Sequence, residues 1–213
     1  IGTIMSQNQT PLRGRPKKLD RNLILQSALM EYWTKGPSNV SINDICKLTG
    51  ASKPGVYREF SNDDGLKKSA LETYQTLAVQ PLLDILYSDK PVSETIDAAI
   101  SFITQDRKSM GVPNGCLLVM MTAQSEQLGS STLEELNRIR ANLFTAYFSW
   151  VKRAKLEGGF SDLETNETAL YLENQHIGAM RMQREGISNE TIANVLNFAF
   201  KMAFAKKPKP LLN

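Results

Sequence analysis

SINDICKLTGASKPGVYREF, residues 41–60, is the stretch on which the reading of the chain turns. It predicts two short helices joined by a tight turn. Ser41 is an N-cap residue. Asp44, three positions on, answers it as a capping box and places an acid where the helix dipole favours one. Ile42, Ile45, Cys46 and Leu48 put apolar groups at helical spacing, and Gly50 supplies the stop. Ser52 is a second N-cap, with Pro54 and Gly55 in the first turn and Val56, Tyr57 and Phe60 on the apolar side. Such a pair is a helix-turn-helix, whose second helix can lie in the DNA major groove with its N-terminal residues at base edges. A fragment of an ordinary helical core would show the same hairpin, so the flanks must decide.

The flanks are basic. Residues 1–60 hold nine Lys or Arg against four acids, while the remainder of a chain of net charge +3 is mildly acidic. A basic quarter on an acidic body suits a protein that meets a polyanion at one end. Upstream, residues 6–18 carry Arg13-Gly14-Arg15-Pro16-Lys17-Lys18 without apolar periodicity, which predicts an unstructured arm. Its core resembles an AT-hook, and Arg13, Arg15 and Lys17 are candidates for a narrow minor groove or for loose phosphate attraction. Residues 1–4, ahead of Met5, are read as an expression remnant and set aside. Asp20 caps a helix over 21–35 whose Ile24, Leu25, Ala28, Leu29, Tyr32 and Trp33 form one apolar face. Gly36-Pro37 ends it.

Residues 20–71 resemble the DNA-binding domain of the TetR family of bacterial transcriptional regulators. The carrying residues are Ser41-Ile42-Asn43-Asp44-Ile45-Cys46, then Gly50-Ala51-Ser52-Lys53-Pro54-Gly55-Val56-Tyr57-Arg58-Glu59-Phe60, then Asp64-Gly65-Leu66 leading into a long helix. The resemblance implies that Ser41, Ser52, Lys53, Gly55, Val56 and Tyr57 face double-stranded DNA at a pseudo-palindromic operator. Ser41 and Tyr57 would reach phosphates, Lys53 a phosphate or a guanine edge, and Val56 a thymine methyl; Gly55 would allow close approach. Val56 and Tyr57 equally suit packing on the domain core. The chain departs from the family in two ways. Ser61-Asn62-Asp63-Asp64 replaces the usual phosphate-binding lysine after the phenylalanine, and Pro54 replaces a frequent glycine.

Beyond residue 60 the periodicity predicts only helices, giving an all-α chain of about nine. One helix is expected over 62–86, kinked or restarted at Pro81, and others from 92 or 93 to about 108 and over 116–124, 133–157, 164–184 and 188–205. The expected domains are an arm (1–19), a helix-turn-helix head (20–66) and an effector-binding and dimerisation body (67–213). The resemblance implies a cavity in the body and a homodimer formed by the last two helices. Dimer candidates at helical spacing are Leu172, His176, Met180, Ile192, Val195, Leu196 and Ala199, although core packing within one chain would look the same. Effector candidates are Tyr74, Phe102, Cys116, Met120, Gln124, Phe144, Tyr147, Phe148 and His176. Most are bulky groups that serve equally as core. Gln124 stands out as an amide on an apolar helix, where burial demands a partner.

The rest is exclusion. No run of residues approaches the ~18 apolar positions of a membrane span, and no nucleophile–His–acid set or phosphate loop suggests an enzyme. Two distant cysteines and one His make no usual zinc site, and they suit reduced thiols in a cytoplasm. No cofactor is expected. The function read from the sequence is a repressor released from its operator by a small-molecule effector. One alternative is thiol sensing, because Asn114-Gly115-Cys116-Leu117 resembles a Gly-Cys-Leu element of an electrophile-sensing TetR branch. A remote alternative is a helical interaction module without DNA binding.

Overall fold

Helix caps fix the N-terminal end of the molecule in this computed structural model, which describes residues 19–160 and 164–204. Asp20 accepts from the Leu23 amide at 3.0 Å and starts α1 (Arg21–Lys35), which Gly36 ends at φ 88°. Ser41 and Asp44 form the expected capping box on α2 (Ile42–Thr49), and Gly50 closes that helix in the left-handed region at φ 70°. Ser52 accepts from the Gly55 amide and starts α3 (Lys53–Phe60). Asn62 caps α4 (Asp63–Tyr74).

The turn between α3 and α4 is unusually tight. Ser61 sits at φ 67°, ψ −54°, and the Asn62 amide donates to Phe60 O at 2.8 Å, a γ-turn of the rarer, strained hand. The turn aims Phe60 O at Gly65, where a Cβ would lie 1.9 Å from that oxygen.

The expected break near Pro81 takes a different form. α4 runs through a π-helical segment (Gln75–Val79) into α5 (Gln80–Leu86) with helical backbone throughout. Gln80 donates to Gln75 O, one residue wider than an α-turn. A proline ring clashes with the carbonyl four residues back, and the widened turn lies just ahead of Pro81, where α5 starts.

The body continues with α6 (Val92–Ile103), α7 (Leu117–Ala123), α8 (Ser130–Leu156), α9 (Thr165–Arg184) and α10 (Asn189–Phe204). Helices and turns account for the described residues, without a strand. α4 lies between α1 and α8. The packing then runs from α8 to α9, α9 to α10, α10 to α6 and α6 to α5. Trp150 of α8 anchors the far end against Tyr147, Phe160 and Phe200. One apolar core extends from Ile24 to Phe200, continuous across the expected domain boundary, which falls inside α4.

Two helices differ in extent from expectation. α6 stops at Ile103 rather than near Lys108, because the apolar period ends there and Thr104 turns its hydroxyl back to Ile100 O. α8 begins at Ser130, three residues before the apolar period starts, because its cap comes from another element. Gly129 offers no side-chain cap. Instead Asp64 of α4 accepts from the Ser131 amide at 2.9 Å and the Thr132 amide at 3.1 Å, and also from the Thr132 hydroxyl. Burial pushes the Asp64 carboxyl up, but these hydrogen bonds together outweigh it and hold the group below the usual carboxylate range. Asp64→Ala strands two helix-terminal amides and leaves the Thr132 hydroxyl only the Asp64 backbone carbonyl, 3.0 Å away. It is expected to cost about 2 kcal/mol in urea unfolding, with Asp64→Asn losing roughly half as much. A loss under about 0.5 kcal/mol for the alanine variant would show the cap to be dispensable.

Candidate nucleic-acid interface and body cavity

Burial sorts the face of α3 into two sets. Ser52, Lys53, Pro54, Tyr57 and Arg58 are exposed. Val56 is 0% exposed and belongs to the core of the head, so the expectation that it reaches DNA is corrected in favour of packing. Gly55 is buried as well. A Cβ on it would meet Leu19 Cδ1 at 2.9 Å, so its small size serves the fit of Leu19 rather than an approach from outside. Lys53 Nζ stands 5.7 Å from the centre of the Tyr57 ring, and the two flank a shallow surface hollow with Ser41 and Asn43 at its opposite side. The Ser41 hydroxyl is engaged with Asp44 at 2.6 Å and Ser52 with the Gly55 amide, so both serine side chains act first as caps. Pro54 is an exposed member of this face that sequence reasoning left out, and Arg58, which the sequence leaves equally a solvated charge or a phosphate ligand, is exposed beside it. Arg13, Arg15 and Lys17 lie outside the described residues.

The head is joined to the body by polar contacts at the end of α1. Trp33 Nε1 donates to Gly115 O at 3.2 Å, and Arg184 of α9 donates to the carbonyls of Trp33 and Thr34 at 3.2 and 2.8 Å. Such contacts suit the last turn of a helix, where carbonyls lack partners and a cation is favoured. Gln124 belongs to this junction: its Oε1 accepts from the Ser38 amide at 3.1 Å. Its amide has the partner that burial demands, but in the head rather than in a cavity. Met120 shares the position, lying against Gly36.

The body holds a cavity of about 440 Å³ between α7, α8 and α9. Of the nine effector candidates only Cys116 and His176 line it. Tyr74 is buried behind Cys116, donating to Sγ at 3.2 Å, and packs edge-on to Trp33. Tyr147 is buried with its hydroxyl 3.1 Å from His176 Nδ1. Phe102 and Phe148 pack on the core instead. Phe144 borders a separate shallow hollow with Arg140 and Glu173. The cavity's polar lining, Thr122, Arg140, Glu173, Asn174 and Arg181, was missed altogether. A signal existed: Leu170, Glu173, Asn174, Ile177 and Arg181 recur at helical spacing and mix apolar with charged groups, a stripe that is neither plain core nor plain surface.

Cys116 is 8% exposed, accepts the Tyr74 hydroxyl and forms part of the cavity wall. This is the setting of a packed thiol, and it does not favour the thiol-sensing alternative. His176 is buried, and burial, with the Arg107 guanidinium behind it, pulls its pKa down to about 4. The unfolded chain therefore takes up this proton first, from about pH 6.5 downward. Stability falls with pH through that window until about pH 4. Between pH 7 and pH 5 the wild type is expected to lose about 2 kcal/mol through this group, measured as urea midpoints, and His176→Gln should lose correspondingly less. Equal pH dependence in both proteins would remove His176 as the cause.

The dimer candidates divide unevenly. Leu172, His176, Met180, Ile192, Leu196 and Ala199 are buried inside the chain's own core; Val195, at 40% exposure, alone among the seven faces outward. The large apolar side chains that α9 and α10 do expose include Tyr171 and Phe198, the latter at 70%. Among the described residues no group of His, Cys, Asp and Glu could hold a metal, and no helix is long and apolar enough to cross a membrane.

Known proteins share this arrangement. Residues 24–69 match the family described as bacterial regulatory proteins, tetR family. The HTH-type transcriptional repressor ComR of Escherichia coli strain K12 is 31% identical over 108 residues, covering 50% of this chain and 51% of that protein. The HTH-type transcriptional repressor BdcR of the same strain is 25% identical over 116 residues, covering 54% and 59%. The chain thus spans just over half the length of the curated relatives it matches. Among solved structures, the TetR family transcriptional regulator CifR, a cysteine mutant complexed with 26bp double-strand operator DNA, aligns with a TM-score of 0.73 at 20% identity. The alignment covers 90% of this chain and 100% of that one, and at this identity it speaks for the fold.

Proposed function

We infer, from a head that belongs to the tetR family of bacterial regulatory proteins, that this chain is a DNA-binding transcriptional regulator, a repressor acting as a homodimer on a pseudo-palindromic operator. The observation that carries the reading is the exposed face of α3. Lys53 and Tyr57 stand side by side at the start of a short helix whose opposite side, Val56 and Phe60, is locked into the core. A rigid helix offering a cation, a phenol and Arg58 outward is what major-groove contact and phosphate anchoring require. Ser52 stands at the helix start as a further phosphate contact, and the 13–17 arm adds charge for the minor groove.

Pairing through the exposed sides of α9 and α10, with Tyr171, Val195 and Phe198 at the centre, would set two such helices on successive turns of the duplex. The 440 Å³ cavity is the effector site of this reading. Its walls α7 and α9 also carry the contacts to the end of α1, through Gly115, Gln124 and Arg184. A ligand that spreads α7 from α9 favours a different seat for the head, and operator affinity falls by that coupling energy.

Selection of bound genomic fragments by the purified protein, followed by footprinting at several salt concentrations, tests the function. A protected pseudo-palindrome whose affinity falls steeply with salt is expected. Protection of no discrete sequence, before and after refolding to strip trapped ligand, would refute the regulator reading.

A further inference from the structure

We propose that the cavity between α7, α8 and α9 is a receptor for an amphipathic carboxylate, held at its mouth by Arg140 and Arg181, with the apolar body of the ligand lying inward. This rests on the reading of the cavity as the effector site.

The lining is laid out in two zones. Arg140, Asn174 and Arg181 are exposed and stand at the opening, whereas Leu118, Leu143 and Met180 are buried and form the interior with Cys116 and His176. Neither arginine side chain makes a hydrogen bond or an ion pair among the described residues. By contrast, Arg138 and Arg184 elsewhere on the same two helices are both engaged. Two free guanidinium forks at the rim of an apolar hole are suited to a planar, bidentate anion.

The field inside has the same sign. Arg107 is 7% exposed and stands behind the Met180 wall, donating to Gln183 Oε1 at 3.1 Å and lying 3.8 Å from Met180 Sδ, with no carboxylate paired to it among the described residues. His176 adds no negative charge, and among the described residues its Nε2 has no partner, leaving a polar contact for the far end of a ligand. The one acid of the lining, Glu173, is half-buried and makes no hydrogen bond or close ion pair among the described residues, with Arg140 the cation nearest in effect. Burial pushes its carboxyl up, against the pull of Arg140. The cavity therefore carries two cations on its lining and a third behind it, against one acid that its surroundings press toward the neutral form.

A cationic ligand lacks what it would need. The lining contains no Phe, Tyr or Trp, so none of the usual cation–π faces is available, and its one acid lies beside Arg140. A neutral apolar ligand would fit the interior but leave both arginines unused. The volume lies within the range of small-molecule sites.

The test is calorimetric titration of the full-length protein, without DNA, with octanoate, octanamide and octylamine, and with phenylacetate beside its amide. The carboxylates are expected to bind at least about tenfold more tightly than the amides, the scale of one charge-assisted hydrogen bond. Octylamine should bind more weakly still. Arg140→Gln and Arg181→Gln should each weaken octanoate by a similar factor while leaving the amide unchanged. Equal or tighter binding of the amide or the amine overturns the proposal. So does octanoate binding that both variants leave intact, or failure of every carboxylate to bind. Because binding is read without DNA, a carboxylate that binds but does not release the operator upholds the ligand class and counts against the effector reading alone.

Discussion

Gly65→Ala is expected to destabilise the protein by about 3 kcal/mol or more, and to do so from the helix-turn-helix end. The added methyl would sit 1.9 Å from Phe60 O. That oxygen is backbone, fixed by the Asn62 amide in the γ-turn, so no side-chain rotation relieves the clash. Either the turn opens or the first turn of α4 unwinds. Both moves carry α3 away from the core position that Val56 and Phe60 give it. Overpacking of this kind costs 1–3 kcal/mol where something can yield, and more where nothing can. Urea unfolding reads the loss. Ser61→Gly is the companion variant, since glycine relaxes the positive φ at the centre of the same turn. It should be neutral or stabilising by up to about 1 kcal/mol. A Gly65→Ala protein within about 0.5 kcal/mol of wild type would mean that the turn is not as tight as described.

The second large effect is functional. Lys53→Ala and Tyr57→Ala are each expected to lower operator affinity by about tenfold to a hundredfold, corresponding to one or two good contacts. Stability should stay within about 0.5 kcal/mol, because both side chains are exposed and neither completes a cap. Lys53→Ala should also reduce the salt dependence of binding if the lysine lies on a phosphate, and should relax base preference if it lies on a guanine. Val56→Ala is the control with the opposite signature: stability lost from a core methyl pair, and affinity affected only through folding. Undiminished affinity in both Lys53 and Tyr57 variants would mean that the outward face of α3 does not read DNA.

What was legible in the sequence was what is encoded locally. The caps Asp20, Ser41 and Ser52 and the stops Gly36 and Gly50 act within a few residues of themselves, and the first three helices of the head begin and end around those residues. Local signals also placed Ser188 at the start of α10, where it accepts from the Thr191 amide. Long-range effects were illegible. The start of α8 is set by an acid sixty-odd positions upstream, which no local pattern links to it. On α9 and α10, apolar spacing marked a buried stripe correctly but could not tell burial against the same chain from burial against a partner. The residues proposed for pairing therefore turned out largely to be core. The cavity was sought among rings and methionines, most of which fill space well enough to close it, whereas the residues that bound it are mainly aliphatic and charged, with only His176 and Met180 of the other kind. Val56 and Tyr57 are adjacent on one helix, and only the packing of α3 against its neighbours separates the inward residue from the outward one.

The borrowed cap on α8 has a further consequence. A helix whose first amides are held by its own cap frays independently of its surroundings; one held by Asp64 frays only when the head moves. Amide hydrogen exchange at Ser131 and Thr132 is therefore a built-in gauge of head position, slow while α4 is docked and fast when it is not. Linkage makes the gauge reciprocal: whatever clamps the head slows exchange in α8, and whatever loosens α8 at that end costs affinity at the other. The communication between the two ends of this molecule can thus be followed at two backbone protons, without any ligand in hand.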